Sequence, residues 1–131
     1  MPSVQLDSDV AAWLEYVLHI MPKVPIELQL VWLYGIITKT YLQTHPEKFK
    51  KVKDYYVISI ESLLHLISET FDELKALRKL YKFRNHYVHY SYYKIEKLWT
   101  ECTHVQTTLD NIAQRYGVTL NWNKTVALDM M

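Results

Sequence analysis

From Tyr56 to Leu77 the apolar residues return every three or four positions, at Tyr56, Ile60, Leu63, Ile67, Phe71, Leu74 and Leu77. That period matches one face of an α-helix, on which residues three and four apart stack into a stripe. The same spacing recurs near the N-terminus, in Val10, Trp13, Leu14, Val17 and Leu18. Punctuation agrees with the period. Neither Gly nor Pro occurs from Glu47 to Tyr116, and an all-β fold with frequent tight turns would need both.

This pattern predicts five helices. The first follows Ser8 as N-cap, buries Val10, Trp13, Leu14, Val17 and Leu18, and ends before Pro22. The second starts at Pro25, whose restricted backbone suits a first helical position, and runs to about Leu42. Thr44 and Glu47 bracket Pro46 as a capping box and open the third. Thr70 and Glu73 form another box, so the long periodic run breaks there, and the fourth helix spans Phe71 to Tyr90. Ser91 caps a fifth, which ends near Gly117, a natural left-handed C-cap. Val118 to Met131 alternates weakly, as an extended tail or docking strand does. Short connections between amphipathic helices give an all-α, up-and-down bundle. One domain over 1–117, followed by a tail over 118–131, is the expected organisation, and no internal repeat is evident.

Composition narrows the function. A chain of 131 residues is one domain by length, and 50% hydrophobic with 22% charged residues is no disordered polymer. A formal net charge of +1 supplies no global attraction to nucleic acid, so any such activity must rest on a local basic patch. The one cysteine, Cys102, excludes an intramolecular disulfide and cannot make a Cys-type zinc site by itself. Met1 to Val10 carries Asp7 and Asp9 but no basic apolar leader, and the most apolar window, Leu28 to Ile37, is too short to span a bilayer. A cytoplasmic protein with no membrane partner is the expectation.

The run Phe83-Arg84-Asn85-His86-Tyr87-Val88-His89 concentrates the candidate chemistry. Arg is permanently charged and forks onto phosphate oxygens, while an imidazole moves protons near neutral pH. On a helix Asn85 and His89 share a face, but Arg84 and His89 lie roughly 140° apart. Either the helix starts or bends here, or a second copy of the chain completes the site. The bland alternative is two surface residues beside two partly buried histidines, which suits an isolated Arg-x4-His match. Here the match extends to Phe83, Asn85 and Val88, in a helical chain of domain size.

The run resembles the signature of the HEPN superfamily, Arg-Asn followed by three residues and His. The wider Phe-Arg-Asn-x-x-Val-His resembles the HepT-like toxin branch. That branch has Tyr two residues after the His, where this chain has Ser91, with Tyr90, Tyr92 and Tyr93 around it. The resemblance implies a homodimeric helical bundle with a composite site at its two-fold axis. It also implies a metal-independent endoribonuclease with toxin or host-defence biology and a possible nucleotidyltransferase-like antitoxin as partner. In such an enzyme a base deprotonates the 2′-OH of RNA, cations stabilise the pentacoordinate phosphate, and an acid protonates the leaving 5′-oxygen. His89 is the proton-transfer candidate, Arg84 the phosphate clamp, and Asn85 orients the imidazole or binds a phosphate oxygen. No metal or other cofactor is expected.

Around this core, His86 reads as a supporting or solvated residue, since two imidazoles without a neighbouring carboxylate make a poor metal site. His19, His45, His65 and His104 form no ligand spacing. Of the aromatics Tyr81, Phe83, Tyr87, Tyr90, Tyr92 and Tyr93, most fill the core or a dimer seam. Tyr87 and Tyr90 are the candidates for lining a groove. Lys48, Lys50, Lys51 and Lys53 are expected at the start of the third helix. Lys75, Lys79 and Lys82 make a stripe toward Arg84 that suits an RNA backbone, although a charged helix face is also the default for solubility. The rival readings are a catalytically inactive HEPN-like module that binds nucleotide, RNA or protein, and an unrelated helical protein with a Tyr-rich partner face.

Overall fold

Helical periodicity becomes six α-helices in a computed structural model, which describes residues 4–5, 10–52, 55–90 and 95–123. The helices are α1 (Val10–Ile20), α2 (Ile26–Thr44), α3 (Ile60–Ile67), α4 (Phe71–His89), α5 (Ile95–Thr103) and α6 (Gln106–Arg115). Single 3-10 turns, Met21–Lys23 and Pro46–Lys48, follow α1 and α2 and carry Pro22 and Pro46. The class is all-α, with one small accessory sheet of β1 (Val4–Gln5), β2 (Lys50–Val52) and β3 (Tyr55–Val57). β3 is central and antiparallel to both neighbours, Val4 opposite Tyr56 on one side and Lys51 opposite Tyr56 on the other.

The sheet corrects the expected third helix. Thr44 does not cap a new helix; its hydroxyl donates back to the Thr40 carbonyl at 2.9 Å and closes α2. The chain then turns into a hairpin whose Val and Tyr residues prefer a pleated strand. Tyr56 and Lys51, expected on a helix, therefore stand in strands, and α3 begins only at Ile60. Ser59 caps it, Oγ accepting from the Ser62 amide at 3.1 Å.

The expected break at Thr70 is present. Thr70 Oγ1 accepts from the Glu73 amide at 3.1 Å, and Glu73 Oε1 accepts from the Glu69 amide at 3.0 Å. The single expected fifth helix is two, α5 and α6, divided at His104–Val105. Thr103 and Val105 are weak helix formers there, and the Thr103 hydroxyl bonds back to the Thr100 carbonyl at 2.7 Å. Ser91, its expected cap, lies outside the described residues, as does Ser8. At the other end Gly117 takes φ +75°, the Val118 amide donates to the Ala113 carbonyl at 2.9 Å, and Gly117 donates to Gln114 at 3.1 Å. This is a Schellman termination.

α4 is the hub, packed against α2, α3, α5 and α6. Leu77, Leu80 and Phe83 meet Leu30, Leu33, Leu63, Ile95 and Leu109 in the buried core. Leu18 does not join them: it is 39% exposed, and Phe71, counted in the apolar stripe, is 68% exposed beneath Lys75. Glu27, in the first turn of α2, is fully buried. Beyond Gly117 the chain folds back onto the core. Val118 and Leu120 are buried, the Asn121 amide donates to Gln29 Oε1 at 2.9 Å, and Trp122 Nε1 donates to Asp110 at 2.7 Å. No helix among the described residues is long and apolar enough to cross a membrane.

Because Gly117 sits in the left-handed region, Gly117→Ala is expected to cost about 1–2 kcal/mol in urea unfolding. An unchanged midpoint would mean that α6 does not terminate in this way.

Candidate functional site

The signature occupies the last two turns of α4, which runs unbroken through His89 to Tyr90 as C-cap. The helix thus neither starts nor breaks at Arg84. Phe83 sets the rotation of this end. It is fully buried, with the rings of Tyr87 and Trp99 at 6.1 and 6.2 Å. With Phe83 inward, Arg84 falls beside α2, and His89 falls on the exposed side, roughly 140° round from Arg84.

Arg84 is half-buried and held from two directions. Its Cζ lies 5.7 Å from the centre of the Tyr34 ring, and its Nη1 donates to Asn85 Oδ1 at 3.0 Å. Asn85 thus fixes the guanidinium; among the described residues no hydrogen bond joins Asn85 to His89. Arg78 and Arg115 are committed to carboxylates, Arg78 to Glu61 and Arg115 to Glu69 and Glu73. Among the described residues no carboxylate pairs with Arg84. A cation oriented by a neutral amide and an aromatic face retains its attraction for an external anion.

The imidazoles sit differently. His86 is half-buried, with Nδ1 3.2 Å from the Lys82 carbonyl and its ring 5.0 Å from that of Tyr90. His89 is exposed, edge-on to Tyr90 at 6.4 Å. Val88 and Tyr90 beside it are 48% and 58% exposed. Tyr87 packs inward on Phe83. The fold therefore brings Arg84 and Asn85 together and leaves His89 on a separate face, beside an exposed apolar pair.

Lys82 is exposed and Lys79 half-buried, on the flank of α4 that leads to Arg84. Between them and Lys75, the charge of Arg78 is matched by Glu61, whose carboxyl is held below the usual carboxylate range, first by its hydrogen bond from Arg78. The other expected basic cluster is not helical. Lys48 ends a 3-10 turn and donates to Tyr41 Oη at 3.3 Å, while Lys50 and Lys51 belong to β2. Lys53, Tyr92 and Tyr93 lie outside the described residues. Among the described residues no group of three or more His, Cys, Asp or Glu is placed to hold a metal ion.

Tyr34 is the member that sequence reasoning missed. It stands in the apolar stripe of α2, and only the packing of α2 on α4 brings it under Arg84. Its hydroxyl is pushed far above the usual tyrosine range, chiefly by burial, with Tyr81 at 5.4 Å adding to the shift and Arg84 opposing it. No protein-family model, curated protein or solved structure matches this chain.

The shift has a sign that can be tested. A phenol whose folded pKa is raised contributes stability that is complete below its unfolded value, about 10, and is lost as pH rises above it. Denaturant midpoints of the wild type should fall in that alkaline range, and Tyr34→Phe should flatten the fall. Arg84→Ala should move the Tyr34 ionisation higher still in an ultraviolet titration; a downward move would show that Arg84 does not sit over the ring.

Proposed function

We propose that this chain is a metal-independent endoribonuclease of HEPN type that acts as a homodimer. The observation that carries the reading is Arg84, oriented by Asn85 and Tyr34, without a carboxylate partner among the described residues, five positions before an exposed imidazole. A phosphate oxygen is the natural partner for such a guanidinium. Because Arg84 and His89 face apart on one continuous helix, two copies related by a two-fold axis supply the convergent set. Val88 and Tyr90 offer the apolar surface for that contact.

In this mechanism one copy's His89 removes the 2′-OH proton of the substrate. The oxygen attacks phosphorus, and the bond to the 5′-oxygen breaks. The other copy's His89 protonates the leaving oxygen. Arg84 stabilises the charge gathered on the non-bridging oxygens. Lys79 and Lys82 attract the backbone, and His86, Tyr87 and Tyr90 flank the groove. The products carry a 2′,3′-cyclic phosphate and a 5′-hydroxyl. Toxin or defence biology, with a nucleotidyltransferase-like antitoxin as partner, is the setting that the resemblance suggests.

A catalytically inactive module that binds RNA or nucleotide is favoured by the same separation of Arg84 and His89, if the protomers do not pair. Cleavage of a short oligoribonucleotide decides between them. Arg84→Ala and His89→Ala should each remove most activity with helicity and dimerisation intact, and Arg84→Lys should not restore it fully. Asn85→Ala should be milder, and His86→Ala milder again. EDTA should leave the rate unchanged. A 2′-deoxy nucleotide before the scissile bond should block cleavage there without preventing binding. Ends bearing 5′-phosphate, or a near wild-type rate for His89→Ala, would reject the mechanism.

Assembly has its own test. Light scattering is expected to show a dimer at micromolar concentration. A monomer with undiminished cleavage would exclude a composite site.

A further inference from the structure

A second cleft, of about 610 Å³, opens where the C-terminal turns of α2 and α6 meet the α3–α4 junction. Thr44, His45, Leu66, Glu69, Arg115 and Tyr116 are among its walls. It stands well apart from the signature. Glu73, which bonds Arg115, precedes Arg84 by about three helical turns of α4, roughly 16 Å. Its volume is ample for a small ligand.

His45 is the informative residue. Its Nδ1 lies 2.9 Å from Thr44 Oγ1 and 3.2 Å from the Tyr41 carbonyl. The Thr44 hydroxyl is itself 2.9 Å from the Thr40 carbonyl and 3.3 Å from that of Tyr41. Carbonyls only accept, so the Thr44 proton goes to one of them and its oxygen is left to accept from Nδ1. Neutral His45 therefore carries its proton on Nδ1, and Nε2 presents a lone pair. One face of the imidazole stacks on Tyr41, with centroids 4.1 Å apart and planes 18° apart. Tyr41 is buried, held by Lys48 at its hydroxyl and by Phe49 at 6.1 Å. The stack is thus rigid, and among the described residues no other ring packs on His45.

The polar walls define what extends this stack. Arg115 is neutralised by Glu69 and Glu73, each at 2.7 Å, so the cleft has no cation reserved for a phosphate. Threonine hydroxyls, the Tyr116 phenol and the ion pair do present donors and acceptors along its sides. A purely apolar ring would leave those groups without partners, at a cost in affinity. A flat ring with polar edges would not.

We propose that this cleft binds a nucleobase, stacked on His45 as the third ring after Tyr41 and donating an exocyclic N–H to His45 Nε2. The inference does not rest on the ribonuclease reading, because binding is read without cleavage and at a different place. Adenosine, titrated into the full chain and followed by the imidazole nitrogens in NMR, is the probe. The spectrum before addition should show the Nδ1–H form of His45. Adenosine should then shift His45 and Tyr116 saturably, and AMP should bind no better than adenosine. His45→Ala should weaken binding about tenfold, the scale of one lost base stack. N6,N6-dimethyladenosine, which lacks the exocyclic donor, should bind more weakly than adenosine to the wild type. His45→Phe keeps a ring and removes Nε2, so it should no longer distinguish the two nucleosides; it also carries the test if His45→Ala is unfolded by circular dichroism. The proposal is overturned by the absence of any shift at roughly 10 mM adenosine, an affinity below that of a single stack and hydrogen bond. Shifts centred on Arg84 and His89, or discrimination retained in His45→Phe, would overturn it as well.

Discussion

Burial of Phe83 is the constraint on which the arrangement at the end of α4 depends. A helix has one rotational freedom about its own axis, and a large ring locked among neighbouring helices removes it. Every side chain in the following two turns then has a fixed bearing. Arg84 is directed over Tyr34, Asn85 is directed beside it, and His89 is directed outward. The core and the candidate chemistry are therefore one object: the packing that stabilises the hub helix also aims the cation.

The electrostatic layout follows from the same helix. Arg78 and Arg115, on flanks where α3 and α6 present glutamates, are bonded to carboxylates. Arg84 faces tyrosines on α2 instead. An aromatic face holds a guanidinium in place without cancelling its charge, whereas a carboxylate does both. A cation kept this way is poised for an anion that comes and goes. By contrast the His45 cleft has its one arginine matched by acidic groups, and its character is set by stacking and neutral hydrogen bonds.

Much of this was legible along the chain, and the parts that were not share a cause. Caps are local, so the Thr70 box and the Gly117 stop could be read from a few neighbouring residues. The hairpin around Tyr56 could not, because its apolar spacing also fits a helix and only pairing with another strand decides between them. The division of α5 from α6 turns on two weak helix formers whose effect tertiary context decides. At the candidate site, Arg84, Asn85 and His89 were visible as a motif. Tyr34 was not, since nothing in local spacing marks one tyrosine of a buried stripe as the floor beneath a distant arginine. His45 was set aside for want of ligand spacing; its fixed tautomer depends on the way α2 ends.

The amide of Gln29 ties the beginning of the fold to its end. Its nitrogen donates to the Val24 carbonyl and its oxygen accepts from the Asn121 amide, 92 positions along the chain. Closing a loop of that length costs on the order of 4 kcal/mol in chain entropy before the contact returns anything. A chain emerging from the ribosome can form α2 early, yet it holds Gln29 half-satisfied until almost its last residues are made. Completion of the N-terminal half is thus timed by synthesis of the C-terminal segment. Short nascent fragments carrying the Arg84 motif remain open where the finished protein is closed.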